Sequence, residues 1–450
     1  MRYEIFSPVQ ADHIALPDLL GAFSYALDLT EGQPAGHSIR CAYIAGRLAR
    51  SVGLTATQRG HAQYAALMKD LGCSSNAARI AELYLADDRD FKHRFKTIAP
   101  GLPSTLRFVF GETGRNASLG HRIGAIANIL RNGDAVAQEM IVSRCTRGAD
   151  IAAELRLHPD VCNAIYHLDE HWDGSGRPGR LSGDAVPLYS RIALLAQIAD
   201  VFHQGGGRAA ALAEVSRRSG SWLDPELVRA FEVLAGEDGF WRDLESPVLE
   251  AIVAASLPRD EVLMDEDYLD AITAAFGQVV DAKSPFTSGH SARVAQFAHD
   301  LGMRLDVDPA RLRQLRRCAA LHDIGKLGVS SAILEKPGKL DDAEWQQMRG
   351  HAETTAQILG RISGFAEMAE IASGHHERLD GAGYPLGLKA AQIARETRII
   401  TTCDFYDALT ADRPYRAAMP QEKALSIMAS EVDKAVDGEC FAALKDSIAA

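Results

Sequence analysis

Leu321-His322-Asp323-Ile324-Gly325-Lys326 is the stretch on which the reading of this chain turns. Ahead of it, Arg311–Leu321 carries apolar residues at three- and four-residue spacing and predicts a helix that ends at the His-Asp pair. Both side chains then emerge at a helix terminus, and Gly325 permits a turn that projects Lys326 toward them. Outward from this point lie His290, His351, the pair His375-His376, Gly381-Ala382-Gly383-Tyr384-Pro385, Asp404, Asp407 and Arg413-Pro414-Tyr415-Arg416. Imidazole and carboxylate together suit iron, manganese or zinc. Cys318 and Cys403 stand singly, which argues against a thiolate site. A lone His-Asp dipeptide carries no information, whereas an ordered set of five histidines with Asp323 and Asp404 does.

The rest of the chain reads as helical, with helix-period patterns at Ile39–Ser51, Arg191–Phe202 and Ala292–Leu305 and few alternating strand patterns. It also contains an internal repeat. Gly36-His37-Ser38-Ile39-Arg40 matches Gly289-His290-Ser291-Ala292-Arg293, and the same 33-residue spacing leads from His37 to Asp70 and from His290 to Asp323. Gly120-His121 resembles Gly350-His351, and Asp173-Gly174-Ser175-Gly176-Arg177-Pro178 lies over Asp380-Gly381-Ala382-Gly383-Tyr384-Pro385. The expected organisation is a first domain over 1–240, a connector over 241–264 and a second domain over 265–450. In this register the first copy keeps His37, Asp70 and His121. It has Lys69 for His322, Leu168 and Asp169 for His375 and His376, Gln197 for Asp404 and Arg177 for Tyr384. A degenerate copy kept for packing, dimerisation or regulation is expected. The alternative is a one-metal or ligand-sensing site around His37, Asp70, His121 and His171.

The chain has 450 residues, which suits two domains, and a formal net charge of −12. A duplex nucleic-acid binder would more often be basic, so an anionic substrate would need a local cationic pocket. The seven cysteines are scattered without a CxxC, as in a reduced, cytoplasmic protein. Neither a leader peptide nor a membrane span is expected from the apolar patterning.

The ordered motif set resembles the HD-GYP family of metal-dependent phosphodiesterases that act on cyclic dinucleotides. The resemblance implies an all-α protein of two tandem HD-type helical domains, the second of the HD-GYP kind. It implies two divalent ions, iron or manganese, with Asp323 bridging them. His290, His322 and Asp404 would complete one ion, and His351, His375 and His376 the other. Lys326 would contact the scissile phosphate beside Asp323, Tyr384 would pack on the nucleotide, and Asp407 would accept from a guanine edge. Arg413 and Arg416 would clamp phosphate. The implied reaction is hydrolysis of cyclic di-GMP to pGpG and onward to GMP. The alternatives are a phosphodiesterase for 3',3'-cyclic GMP-AMP, another HD-superfamily phosphohydrolase, and a non-hydrolytic sensor or scaffold for cyclic di-GMP. A second copy of the chain and a diguanylate cyclase are open as partners. Some relatives hold a third ion through a glutamate four residues before the first histidine. Phe286 stands there and offers no lone pair, and Asp281 would reach the site only by looping back, so two ions are expected.

Overall fold

The computed structural model describes residues 14–98, 101–115, 117–258, 265–412 and 416–449. The chain folds as two compact units, Ala15–Leu263 and Met264–Ala450. Among the described residues the regular structure is helical, the only β-pairing being isolated bridges. No helix there is long and apolar enough to cross a membrane.

The second unit is built on Glu266–Asp281, His290–Arg304, Pro309–Leu321, Asp342–Leu359, Ala366–Ser373 and Arg395–Thr410, followed by Gln421–Ser430 and Gly438–Ala449. Its helix ends are written in the sequence. Asp308 caps the third helix, with Pro309 in its first turn, and Asp341 and Glu344 form a capping box on the fourth. Asp281 accepts from both the backbone N–H and the hydroxyl of Ser291, 2.7 Å for the hydroxyl, and so fixes the entry to the His290–Arg304 helix. That contact places Asp281 in a structural role. Ile272, Phe276, Leu301, Leu315, Leu321, Ile358, Phe365 and Ile399 fill the core between these helices.

After Leu321 the helix gives way to a 3₁₀ turn, Ile324–Gly328, lying against the Asp342–Leu359 helix. Thr355 pins the turn: its hydroxyl accepts from Gly325 N–H at 3.0 Å and donates to the carbonyl of His322 at 3.1 Å. Gly325 is required there, because a Cβ would overlap the carbonyl oxygen of His351 and come within 2.8 Å of Thr355 N.

The first unit repeats these devices. Asp28 receives Ser38 as Asp281 receives Ser291. His37–Ser51 packs against Ala56–Leu67 and Leu188–Arg217, as His290–Arg304 packs against Pro309–Leu321 and Arg395–Thr410. Two sequence expectations need correction. Residues 241–258, read from the sequence as part of a connector, are packed into the first unit. Asp238–Leu244 and Leu249–Ser256 are helices whose Trp241, Leu244, Leu249 and Val253 are buried, and Gln63 and Tyr64 hydrogen-bond to Ser256 and Pro258. Residues 259–264 lie outside the described part.

The second correction concerns His121. A Cβ on Gly72 would overlap the carbonyl of Arg144 and lie 2.8 Å from Gly148 N, as one on Gly325 would with His351 and Thr355. Arg144, not His121, therefore occupies the place of His351. His121 sits exposed near the start of the long helix Leu119–Glu154. The two Gly-His dipeptides do not correspond in space because the first unit carries the helices Ala77–Tyr84, Asp88–Phe95 and Leu102–Glu112 before that long helix.

Candidate metal centre

The candidate ligand histidines reach the site from helix ends or a packed helix face, and four of them, His290, His322, His351 and His375, have Nδ1 already engaged. His322 Nδ1–H donates to Ala319 O at 2.7 Å, His351 Nδ1–H to Met348 O at 2.5 Å and His375 Nδ1–H to Ala372 O at 2.7 Å. These bonds leave each Nε2 with its lone pair turned inward, the tautomer a metal needs. His290 is gripped at both nitrogens by one helix. Asp407 Oδ2 lies 2.7 Å from its Nδ1, and Asp404 Oδ1 lies 3.4 Å from its Nε2. The two aspartates are three residues apart on Arg395–Thr410 and so share a face.

Asp323 stands at the middle, buried. Its Oδ2 lies 3.4 Å from His290 Nε2 and 3.3 Å from His322 Nε2, while its Oδ1 lies 3.5 Å from His351 Nε2 and 3.6 Å from His375 Nε2. His290, His322 and Asp404 form one cluster of potential ligands, and His351, His375 and His376 form another. Asp323 Oδ1 has no hydrogen-bond partner although it is fully buried. An unpartnered buried carboxylate oxygen, facing imidazole lone pairs, is costly unless a cation completes it. The residues present therefore fit divalent metal binding. Lys326 Nζ reaches Asp323 Oδ2 at 2.6 Å, so its ammonium sits on the rim of the same cluster.

The electrostatics agree. Burial opposes a charge on His290, but the carboxylates of Asp323, Asp407 and Asp404 outweigh it and push its pKa up to about 9. Burial pushes His351 down to about 4. Burial, with the neighbouring His322, takes His375 down to about 3. Burial also holds His376 well below its usual value, so three neutral imidazoles stand on the far side of Asp323.

Two expected substrate contacts lie elsewhere. Asp407 is buried behind His290 and receives Arg293, whose Nε lies 2.6 Å from its Oδ1. Both carboxylate oxygens are thus engaged, and none is free for a base. Asp407 orients His290 instead. Arg416 donates to the carbonyls of Ala408, Leu409 and Ala417, at 2.6 Å for the first, closing the end of the Arg395–Thr410 helix. Arg413 lies outside the described residues. Tyr384 is in place, its ring tilted over His376 with centroids 4.8 Å apart. Sequence reasoning missed three residues. Arg293 holds Asp407. Glu377 accepts from the backbone N–H groups of Leu386, Gly387 and Leu388 and shapes the loop after Tyr384. Arg349 covers the Tyr384 ring. The repeat carried a usable signal for the first two, since Arg40 and Glu170 hold the matching places in the first unit.

Asp407→Asn should accordingly weaken metal retention by about 10- to 100-fold, the usual effect of removing the partner of a ligating histidine. A variant with full metal content and a selectively raised KM would restore the base-contact role.

The corresponding cavity of the first unit is filled differently. His37 Nδ1 meets Asp200 Oδ2 at 2.7 Å, just as His290 meets Asp407. Lys69, at the place of His322, pairs with Asp70, and Lys96 Nζ lies 3.9 Å from the other oxygen of Asp70. Arg144 pairs with Asp169. Burial and the Lys69 charge push His37 down to about 4, the opposite of His290. The first unit puts cations at ligand places, whereas the second has Lys326 at the rim and leaves Asp323 Oδ1 without a partner.

The HD domain family model matches residues 105–227 and 275–440, more than half of the chain and part of each unit. The chain belongs to the HD domain family. It is 49% identical over 434 residues to 3'3'-cGAMP-specific phosphodiesterase 3 of Vibrio cholerae, covering 96% of this chain and 94% of that protein. It is 38% identical over 147 residues to a cyclic di-GMP phosphodiesterase of Pseudomonas aeruginosa, covering 32% of this chain and 35% of that one. The crystal structure of a cyclic GMP-AMP specific phosphodiesterase of V. cholerae superposes with a TM-score of 0.67 at 43% identity, covering 97% of this chain and 98% of that one.

Proposed function

We propose that the second unit is a metal-dependent phosphodiesterase that opens 3',3'-cyclic GMP-AMP to a linear dinucleotide, and that the first unit is a catalytically silent copy. The observation that carries the reading is Asp323, with one oxygen turned to each histidine cluster and Oδ1 without a partner. His290, His322 and Asp404 would hold one ion and His351, His375 and His376 the other, iron or manganese by ligand type. Such ions, when bound, supply an acidified water and neutralise charge on the phosphoryl group. The chain's own residues do the rest. The engaged Nδ1 atoms keep His290, His322, His351 and His375 oriented, Lys326 offers an ammonium beside Asp323 for the phosphate, and Tyr384 offers its hydroxyl edge to the nucleotide.

Cyclic di-GMP was the expectation from the motifs. The relative that covers nearly the whole chain at 49% identity is specific for 3'3'-cGAMP, and the cyclic di-GMP enzyme matches about a third, so the cyclic GMP-AMP reading is favoured. The silence of the first unit is supported by Lys69, Arg144, Leu168 and Gln197 at ligand places, because an ammonium or guanidinium offers no lone pair.

The test uses the full chain purified anaerobically. Elemental analysis should return two ions per chain, all lost when second-unit ligands are replaced. kcat/KM for 3',3'-cyclic GMP-AMP should exceed that for cyclic di-GMP by about tenfold or more, the discrimination worth about 1.4 kcal/mol. Equal or reversed preference would remove the substrate assignment. Ions that persist after loss of His322 and His351 would remove the claim about the first unit.

A further inference from the structure

We infer that Arg349 holds the second, uncleaved phosphate of the substrate, with Tyr384 as the platform that positions its guanidinium. This rests on the cyclic-dinucleotide reading above. A cyclic dinucleotide carries two phosphodiesters. One is to be cleaved at the metal cluster beside Lys326. The other is a full negative charge that must be met elsewhere, because burying it unpaired is costly.

Among the described residues, several cations near the site are already engaged. Arg416 is engaged with three carbonyls and Arg293 with Asp407. Arg378 pairs with Asp380 and Glu431. Arg349 is half-buried on the Asp342–Leu359 helix, two residues before His351. Its guanidinium carbon lies 4.5 Å from the centroid of the Tyr384 ring, and among the described residues no carboxylate pairs with it. The Tyr384 ring in turn lies beside His376, tilted with centroids 4.8 Å apart, so contacts run from His376 through Tyr384 to Arg349. A guanidinium held over a ring by a cation–π contact, with no carboxylate on it, has N–H groups left for a phosphate.

The first unit is an internal control. Where the second has Arg349 and Tyr384, the register through Arg144 and His351 gives Val142 and Arg177. Arg177 there binds Gln138 and Asp134. The aromatic platform and its cation are thus present together in the unit that has the ligand set and absent together from the unit that lacks it.

The experiment compares wild type, Arg349→Ala and Arg349→Lys in the full chain on 3',3'-cyclic GMP-AMP and on bis(p-nitrophenyl) phosphate, a diester with a single phosphate, with metal content measured on each sample. Loss of one charged hydrogen-bonding group should raise KM for the dinucleotide in the alanine variant by about 10- to 100-fold, with kcat changed far less. The loss on bis(p-nitrophenyl) phosphate should be at least about tenfold smaller, since that probe has no second phosphate. Metal content should hold, and lysine should recover part of KM. An unchanged KM in the alanine variant, an equal loss on both substrates, or loss of metal overturns the inference. Wild-type turnover of bis(p-nitrophenyl) phosphate with none of either cyclic dinucleotide would instead bring down the substrate reading, and this inference with it.

Discussion

Asp323→Asn is expected to strip the centre of metal and to lower kcat/KM by about a thousandfold or more, a loss of several kcal/mol of transition-state stabilisation. The substitution keeps the side chain's volume and removes half its capacity. One oxygen can still face His290 and His322 or His351 and His375, but the other position becomes an amide that offers protons to imidazole lone pairs. It also takes from Lys326 the carboxylate it now meets at 2.6 Å. Elemental analysis with steady-state kinetics checks this. Full metal content and near-normal turnover in a folded asparagine variant would show that Asp323 bridges nothing.

The second large effect is one of shape. Gly325→Ala should destabilise the second unit by about 3 kcal/mol, at the upper end for overpacking, and shift its melting by roughly 6–12 °C for a domain of this size. The added methyl meets backbone, not a flexible side chain: the carbonyl of His351 and the amide of Thr355. The turn must move away from the Asp342–Leu359 helix, which separates His351 from Asp323 and breaks both Thr355 hydrogen bonds. Metal retention should fall with stability. Gly350→Ala is the control, since nothing lies within 4 Å of a Cβ there and alanine favours a helix. A Gly325→Ala protein that melts like Gly350→Ala would refute the close approach.

His290, Asp323 and the helices that carry them were visible because ligand-type residues recur at matched spacing in both copies, and because the helix ends are marked by Asp308, Asp341 and Gly325. Asp404 and Asp407 were correctly seen to share a face. Which of them would face the cluster and which would stand behind His290 depends on where that helix lies against His290–Arg304, and spacing along one helix carries no such information. Arg416 illustrates the same limit. A cation in a loop suits a phosphate and a helix C-terminus equally, and here the open carbonyls of the Arg395–Thr410 helix are nearer.

The sequence by itself determined a helical chain with an internal repeat, a set of imidazole and carboxylate residues suited to divalent ions in its second half, and the loss of much of that set in its first. These follow from local rules: helix period, capping chemistry and the lone pairs each side chain can offer. Only the tertiary structure decided that Arg144 and not His121 stands in for His351, that 241–258 belongs to the first unit's core, and that Asp407 braces a histidine. It also placed Arg349 on Tyr384. Each of these depends on contacts between segments far apart in the chain, which close packing selects and local sequence does not encode.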